Sequence, residues 1–170
     1  KYRKLKYNLL KAKEDGYSVV LTFGGAFSNH IAAVAFAGKE NNFKTIGIIR
    51  GDELREKVED NPTLKFAQEN GMQFDFISRA QYSDKQSPEF EEELRRRFGN
   101  FYLIPEGGTN ELAVKGCEEI LTADDAQFDY ICCAVGTGGT ISGIINSVLP
   151  HQKVLGFPAL KGDFLKKRNS

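Results

Sequence analysis

The chain has 170 residues, 41% hydrophobic and 27% charged, with Lys+Arg and Asp+Glu equal at 23 each. That is enough for one substantial core or two small lobes sharing one, and the zero net charge gives no global field favouring nucleic acid or an acidic membrane. Three cysteines and two histidines exclude a disulfide scaffold and leave little for a metal centre, so a reducing cytoplasm is the expected setting and no metal is expected.

Residues 2–14 read as a helix stopped by Gly16. At about 100° per residue, Leu5, Leu9 and Ala12 form its apolar stripe. Lys1 falls on that stripe, Arg3 opposite it, and Lys4, Lys6, Lys11 and Lys13 on its flanks. A lysine aimed at a core is costly unless paired or chemically employed, and burial lowers its pKa and makes the amine nucleophilic. Strand and helix patterns then alternate: a strand at 18–23, a helix at 29–40, a strand at 44–50, a helix at 62–70 and a strand at 72–77. A polar, loop-like stretch at 78–87 follows, then a helix at 88–98, a strand at 100–104, a helix at 111–121, a strand at 130–135, a helix at 140–148 and a strand at 153–157. This alternation predicts parallel βαβ units with helices on the sheet faces. The apolar runs are too short to cross a bilayer, and no signal-peptide pattern opens the chain. It begins without Met inside a helical pattern and ends as another begins, so it reads as a segment of a longer protein.

Three polar, glycine-bearing loops sit where strands feed helices, which is where parallel sheets place their ligands: residues 24–29, 105–110 and 136–140. In the last, Gly136-Thr137-Gly138-Gly139-Thr140 follows the apolar run Cys132-Cys133-Ala134-Val135 and opens a helix. Its glycines allow a tight turn and close approach to an anion, the free N–H groups and dipole of the helix start favour phosphate, and Thr137 and Thr140 add hydroxyls. A glycine-rich turn without a ligand is the competing reading. A dinucleotide fingerprint fails because Ile141 follows Thr140, no acid ends the next strand near Phe157, and no Walker Gly-Lys-Ser/Thr occurs. A small phosphate monoester remains. Ser28-Asn29-His30 opens an Ala-rich helix and combines a cap with an anion-facing platform; a plain N-cap and a satisfied histidine are its simpler readings. Residues 91–97 read as a solvated helix face.

Taken in order, Lys1-Tyr-Arg-Lys4-Leu-Lys-Tyr7, Gly24-Gly-Ala-Phe-Ser28-Asn29-His30, Pro105-Glu-Gly-Gly-Thr109-Asn and the 136–140 loop resemble the 1-aminocyclopropane-1-carboxylate (ACC) deaminase/D-cysteine desulfhydrase family. These are fold type II, tryptophan synthase β-like enzymes that use pyridoxal 5'-phosphate (PLP). The resemblance implies an α/β, two-lobed, parallel-sheet, three-layer fold, present here as a partial chain. Residues 1–16 would be a helix of the large domain, 17–99 a small domain with the Ser-Asn-His segment, and 100–170 part of the large domain with the phosphate loop. It implies that Lys1 carries the cofactor, that Lys4 lies near its phosphate, that Asn29 bonds its 3′-oxygen, and that Gly136, Thr137, Gly138, Gly139 and Thr140 cradle the phosphate. Ser28 would be catalytic and touch substrate, with Asn29 and His30 beside it; His30 stands where the deaminases have glutamine and the desulfhydrases histidine.

The implied function is a deaminase/lyase that takes a small amino acid, D-cysteine or ACC, to ammonia and a 2-oxo acid, with sulfide also released from D-cysteine. A cytoplasmic homodimer with neither nucleic-acid nor membrane partner is expected. Relatives often follow the Ser-Asn segment with a polar Arg-Gln stretch, whereas Ile31-Ala-Ala-Val34 stands here, so the substrate stays open. The alternatives are another fold type II enzyme, such as an L-serine/threonine dehydratase, or a non-catalytic phosphometabolite-binding module.

Overall fold

A computed structural model describes residues 1–159. Strands β1 (Val19–Gly24) and β2 (Lys44–Arg50) bury almost every residue, because both faces of their sheet are covered. With β3 (Met72–Ile77) and β4 (Tyr102–Ile104) they form a parallel sheet in the order β3-β2-β1-β4. On one face, Val20, Ile49, Met72, Phe76 and Ile104 pack under α1 (Tyr2–Glu14), α2 (Asn29–Glu40) and α3 (Pro62–Glu69). On the other, Leu21, Phe23, Ile46, Ile48 and Ile77 meet Tyr82 of α4 (Arg79–Ser83) and Phe90 and Leu94 of α5 (Pro88–Phe98). Successive strand residues alternate between the two cores, which gives the three layers expected. The chain moves from β1 outward to β3 and returns to β4 on the other side of β1. The order therefore reverses between β1 and β4, the position at which such sheets hold ligands.

A second sheet pairs β5 (Tyr130–Val135) with β6 (Lys153–Pro158) in parallel, joined through α7 (Gly139–Ser147). It is tied to the first through helix packing: α1 lies on α6 (Glu111–Cys117), and α6 lies on α7. Glycines set these approaches. A Cβ on Gly116 would stand 1.9 Å from the Arg3 carbonyl oxygen, and one on Gly143 would stand 2.4 Å from Cys117 Cβ. Buried Asn8 bonds Asn110 in both directions, at 2.7 and 3.1 Å, and Asn110 caps α6 through Ala113 N.

The structure departs from the sequence-based expectation in three places. The sheet that includes β1 extends to Ile104, because β4 pairs with β1 at Val20, Leu21 and Thr22; the expected boundary after residue 99 therefore falls before its last strand. The 78–87 stretch contains α4, started by a capping box between Ser78 and Gln81. The sixth helix stops at Cys117, where the backbone tightens to three-residue turns at Glu119 and Ile120. The helix pattern at the end of the chain lies outside the described residues.

The Gly116 contact yields a stability test. Gly116→Ala should lower the unfolding free energy by about 3 kcal/mol in urea denaturation, because the α1 backbone has to move away.

Candidate functional site

Helix α1 begins at Tyr2, so Lys1 is its N-cap residue and is exposed, while Lys4 joins Leu5, Asn8, Leu9 and Ala12 on the buried side. Lys4 is 4% exposed. Its ammonium donates to the Gly107 carbonyl at 3.0 Å, to Thr109 Oγ1 at 2.9 Å and to Thr137 Oγ1 at 3.2 Å. Thr109 and Thr137 bond each other at 2.5 Å. Three helix and loop segments thus meet at one amine: α1, the 105–110 loop after β4 and the 136–140 loop after β5. Gly139 makes this possible, since a Cβ there would lie 2.9 Å from both Lys4 Cε and Thr109 Cγ2. Sequence reasoning placed Lys1 on the stripe and Lys4 on its flank. The i, i+4, i+8 series Lys4, Asn8, Ala12 is the signal that would have reversed them.

The 136–140 loop runs from the end of β5 directly into α7. Gly138 adopts φ 88°, a left-handed conformation, and turns the chain into α7. A cavity of about 230 Å³ is lined by Lys1, Lys4, Ala134, Val135, Gly136, Thr137, Gly138, Thr140 and Ile141. Positive charge collects on one side of it, and the N-terminus of α7 lies on another. Burial, followed by the charge of Lys1, pulls the Lys4 pKa down to about 8. The Lys1 residue is exposed as a whole, yet desolvation of its amine end lowers its pKa too. Lys1 Nζ makes one bond, to the Gly107 carbonyl at 3.3 Å. Among the described residues, neither amine has a carboxylate partner. Two crowded cations at a helix start, with backbone N–H groups beside them, make this corner electropositive, which favours an anion.

The Ser-Asn-His segment is placed differently from the lysine cluster. Ser28 caps α2, accepting from Ile31 N at 3.3 Å. It lines a separate cavity of about 510 Å³ with Gly25, Phe27, Arg50, Glu53, Arg79 and Glu106. Asn29 is exposed at the first position of α2. His30 is 2% exposed and bonded through Nε2 to Thr22 Oγ1 at 2.7 Å. Thr22 on β1 draws the ring into the core, and Gly108 covers its edge. Burial, then Lys1 and Lys4, push the His30 pKa down to about 3. Glu106, given no role from sequence, accepts from Tyr82 Oη at 2.8 Å and pairs with Lys85 at 3.4 Å. Gly107, Thr109 and Thr22 are the site residues that sequence reasoning left without a role.

Comparison with known proteins sets this site in context. No family model matches the chain. A Thermotoga maritima protein assigned as a 1-aminocyclopropane-1-carboxylate deaminase is 33% identical over 174 residues, covering 92% of this chain and 52% of its own. The bifunctional D-cysteine desulfhydrase/1-aminocyclopropane-1-carboxylate deaminase of Arabidopsis thaliana, a mitochondrial protein, is 33% identical over 161 residues, 85% of this chain and 40% of its own. The chain thus spans about half the length of the curated relatives it matches. Among solved structures, an ACC deaminase homologue superposes with a TM-score of 0.74 at 27% identity, over 98% of this chain and 53% of that one. A PLP-dependent aspartate racemase shares the fold, with a TM-score of 0.64 at 20% identity over 91% of this chain and 46% of its own. Among the described residues, no helix is long and apolar enough to cross a membrane.

Lys4 gives the site a pH signature. Phosphate affinity, followed by phosphorus NMR, should fall as pH rises through about 8, where Lys4 loses its proton. Lys4→Met should weaken phosphate at pH 7 by about tenfold or more and flatten that dependence, as expected for loss of one partly buried counter-charge beside the anion. The folded pKa lies below the unfolded value of 10.5, so the unfolded chain holds the extra proton between the two. The contribution of this group to stability therefore rises with pH from about 8 to 10.5.

Proposed function

The chain belongs to the ACC deaminase/D-cysteine desulfhydrase family, and we propose that it works with PLP on a small amino acid, releasing ammonia and a 2-oxo acid, and sulfide as well from D-cysteine. The observation that carries this reading is the pair of lysine amines, without a carboxylate partner among the described residues, against the 136–140 loop. A phosphate ester fits there: Gly139 leaves no space for a Cβ, Gly138 turns the chain into the helix, and two amines lack a counter-charge. The residues that would hold the cofactor are Lys1, Lys4 and the loop Gly136, Thr137, Gly138, Gly139 and Thr140, with Asn29 toward its ring. Bound there, PLP supplies an electron sink for negative charge developing at the substrate α-carbon.

The chain's own residues divide the remaining work. Lys4, with its donors met by three acceptors, is the fixed counter-charge to phosphate. Lys1 is the reactive amine, because its lowered pKa gives more neutral nucleophile at a given pH than a free lysine has. Ser28 Oγ accepts from the α2 backbone and keeps its O–H to donate, which suits it to holding a carboxylate or moving a proton. The free N–H groups at the start of α2 add to that carboxylate position. A homodimer and a cytoplasmic setting are further parts of the proposal.

Two measurements on the full chain test this reading. The wild type should take up PLP with a yellow absorbance and a borohydride-trappable lysine, and Lys1→Ala should lose both. An unchanged band in Lys1→Ala would refute the role of Lys1. Ammonia release should favour D-cysteine or ACC; a preference for L-serine would overturn the substrate assignment in favour of a dehydratase.

A further inference from the structure

The ring of His30 is fixed at one nitrogen and idle at the other. Thr22 Oγ1 donates its only proton to the Ile104 carbonyl at 2.8 Å, so its 2.7 Å contact with His30 Nε2 requires the ring to donate. Nε2 therefore carries the proton and Nδ1 a lone pair. Nδ1 is buried without a partner among the described residues, a costly state for an acceptor. The Nδ1–Cε1 edge faces Gly108, where a Cβ would stand 3.2 Å from Nδ1 and 3.0 Å from Cε1.

A count of donors finds the partner for this acceptor. Lys4 has three N–H groups and three acceptors. Lys1 has three N–H groups and one long bond, to the Gly107 carbonyl at 3.3 Å. The idle acceptor and the under-used donor thus border the same pair of residues, Gly107 and Gly108. We propose that His30 Nδ1 is a second seat for the Lys1 amine, so that His30 is a positioning residue acting through Lys1 as a neutral hydrogen-bond acceptor.

Neutrality is the point of using a histidine here. A carboxylate in the same place would hold Lys1 equally well but would favour its charged form. The groups facing the ring are Lys1 and Lys4 from α1, Thr22 from β1 and the Gly108 backbone, with Cys117 of α6 acting on the lysines. Burial and the two amines keep His30 uncharged throughout the range in which Lys1 titrates. The pairing itself is independent of the cofactor; its consequence for catalysis rests on the proposed role of Lys1.

Nitrogen NMR of histidine-labelled protein tests the pairing in the full chain without PLP, with His151→Gln included to leave His30 free of overlap. The spectrum should show the Nε2-protonated tautomer, unchanged from pH 5 to 9 (roughly the range in which a free imidazole would titrate). The Nδ1 signal should move to the position of a non-bonded imidazole nitrogen in Lys1→Ala. An Nδ1-protonated ring, a titration near the free-histidine value, or an Nδ1 signal indifferent to Lys1→Ala each overturns the proposal. In lysine-labelled protein, His30→Gln, a neutral acceptor, should leave the Lys1 midpoint in place, and a shift as large as tenfold in proton affinity would count against the model. Loss of the yellow band in the wild type would instead refute the PLP reading and leave these spectra intact.

Discussion

A lysine amine out of water is tolerable only when its donors are met, and at Lys4 the Gly107 carbonyl and the hydroxyls of Thr109 and Thr137 meet all three. Those acceptors come from two loops that follow strands of different sheets, β4 and β5. The bond set therefore acts as a joint between the sheets and fixes the 136–140 loop relative to α1. The close α1–α6 and α6–α7 contacts through Gly116 and Gly143 hold the same three parts together from behind. Loop, amine and helix start keep their spacing because none can shift without breaking the set around Lys4.

The charges of α1 are sorted by where they face. Arg3 and Lys6 pair with Glu119 at 2.6 and 2.7 Å, Tyr7 donates to the same carboxylate, and Lys11 pairs with Asp15 at 2.6 Å. Those bonds hold Glu119 well below the usual carboxylate range, at about 2. Lys1 and Lys4 receive neutral acceptors only. Arg3, Lys6 and Lys11 are thus neutralised by the protein, whereas the two amines at the loop have no such partner among the described residues. Repulsion and desolvation at this corner are a standing cost that an anion placed beside the two amines would offset.

Much of this was legible from sequence, for reasons that differ by element. The strands and the long helices follow from apolar runs bounded by glycine and from cap residues such as Ser28, Asn61 and Ser87, all of which accept backbone N–H bonds at helix starts. The 136–140 loop was legible as a tight strand-to-helix turn because three glycines stand between an apolar run and a helical pattern, and Gly138 takes a left-handed conformation there. The lysines were misordered because Lys4 counts as polar in any apolar stripe, and the three acceptors that permit its burial lie more than a hundred residues away. Tertiary contacts of that range leave no local signature. The same holds for His30, whose partner Thr22 reads as an ordinary strand residue.

The reversal of strand order between β1 and β4 separates the cavity that Ser28 lines from the one that the lysines line. The loop after β1 presents Ser28 toward Arg50 and Glu106, and the loop after β4 presents Gly107 and Thr109 toward Lys4 and the second sheet. Glu106 and Gly107 are adjacent in sequence, so one loop borders both spaces: its acidic end faces the Ser28 side and its glycine end faces the amines. A phosphate held at the amines and an amino acid held at Ser28 would then meet across the 105–110 loop. That loop, more than either cavity alone, sets the relative position of the two.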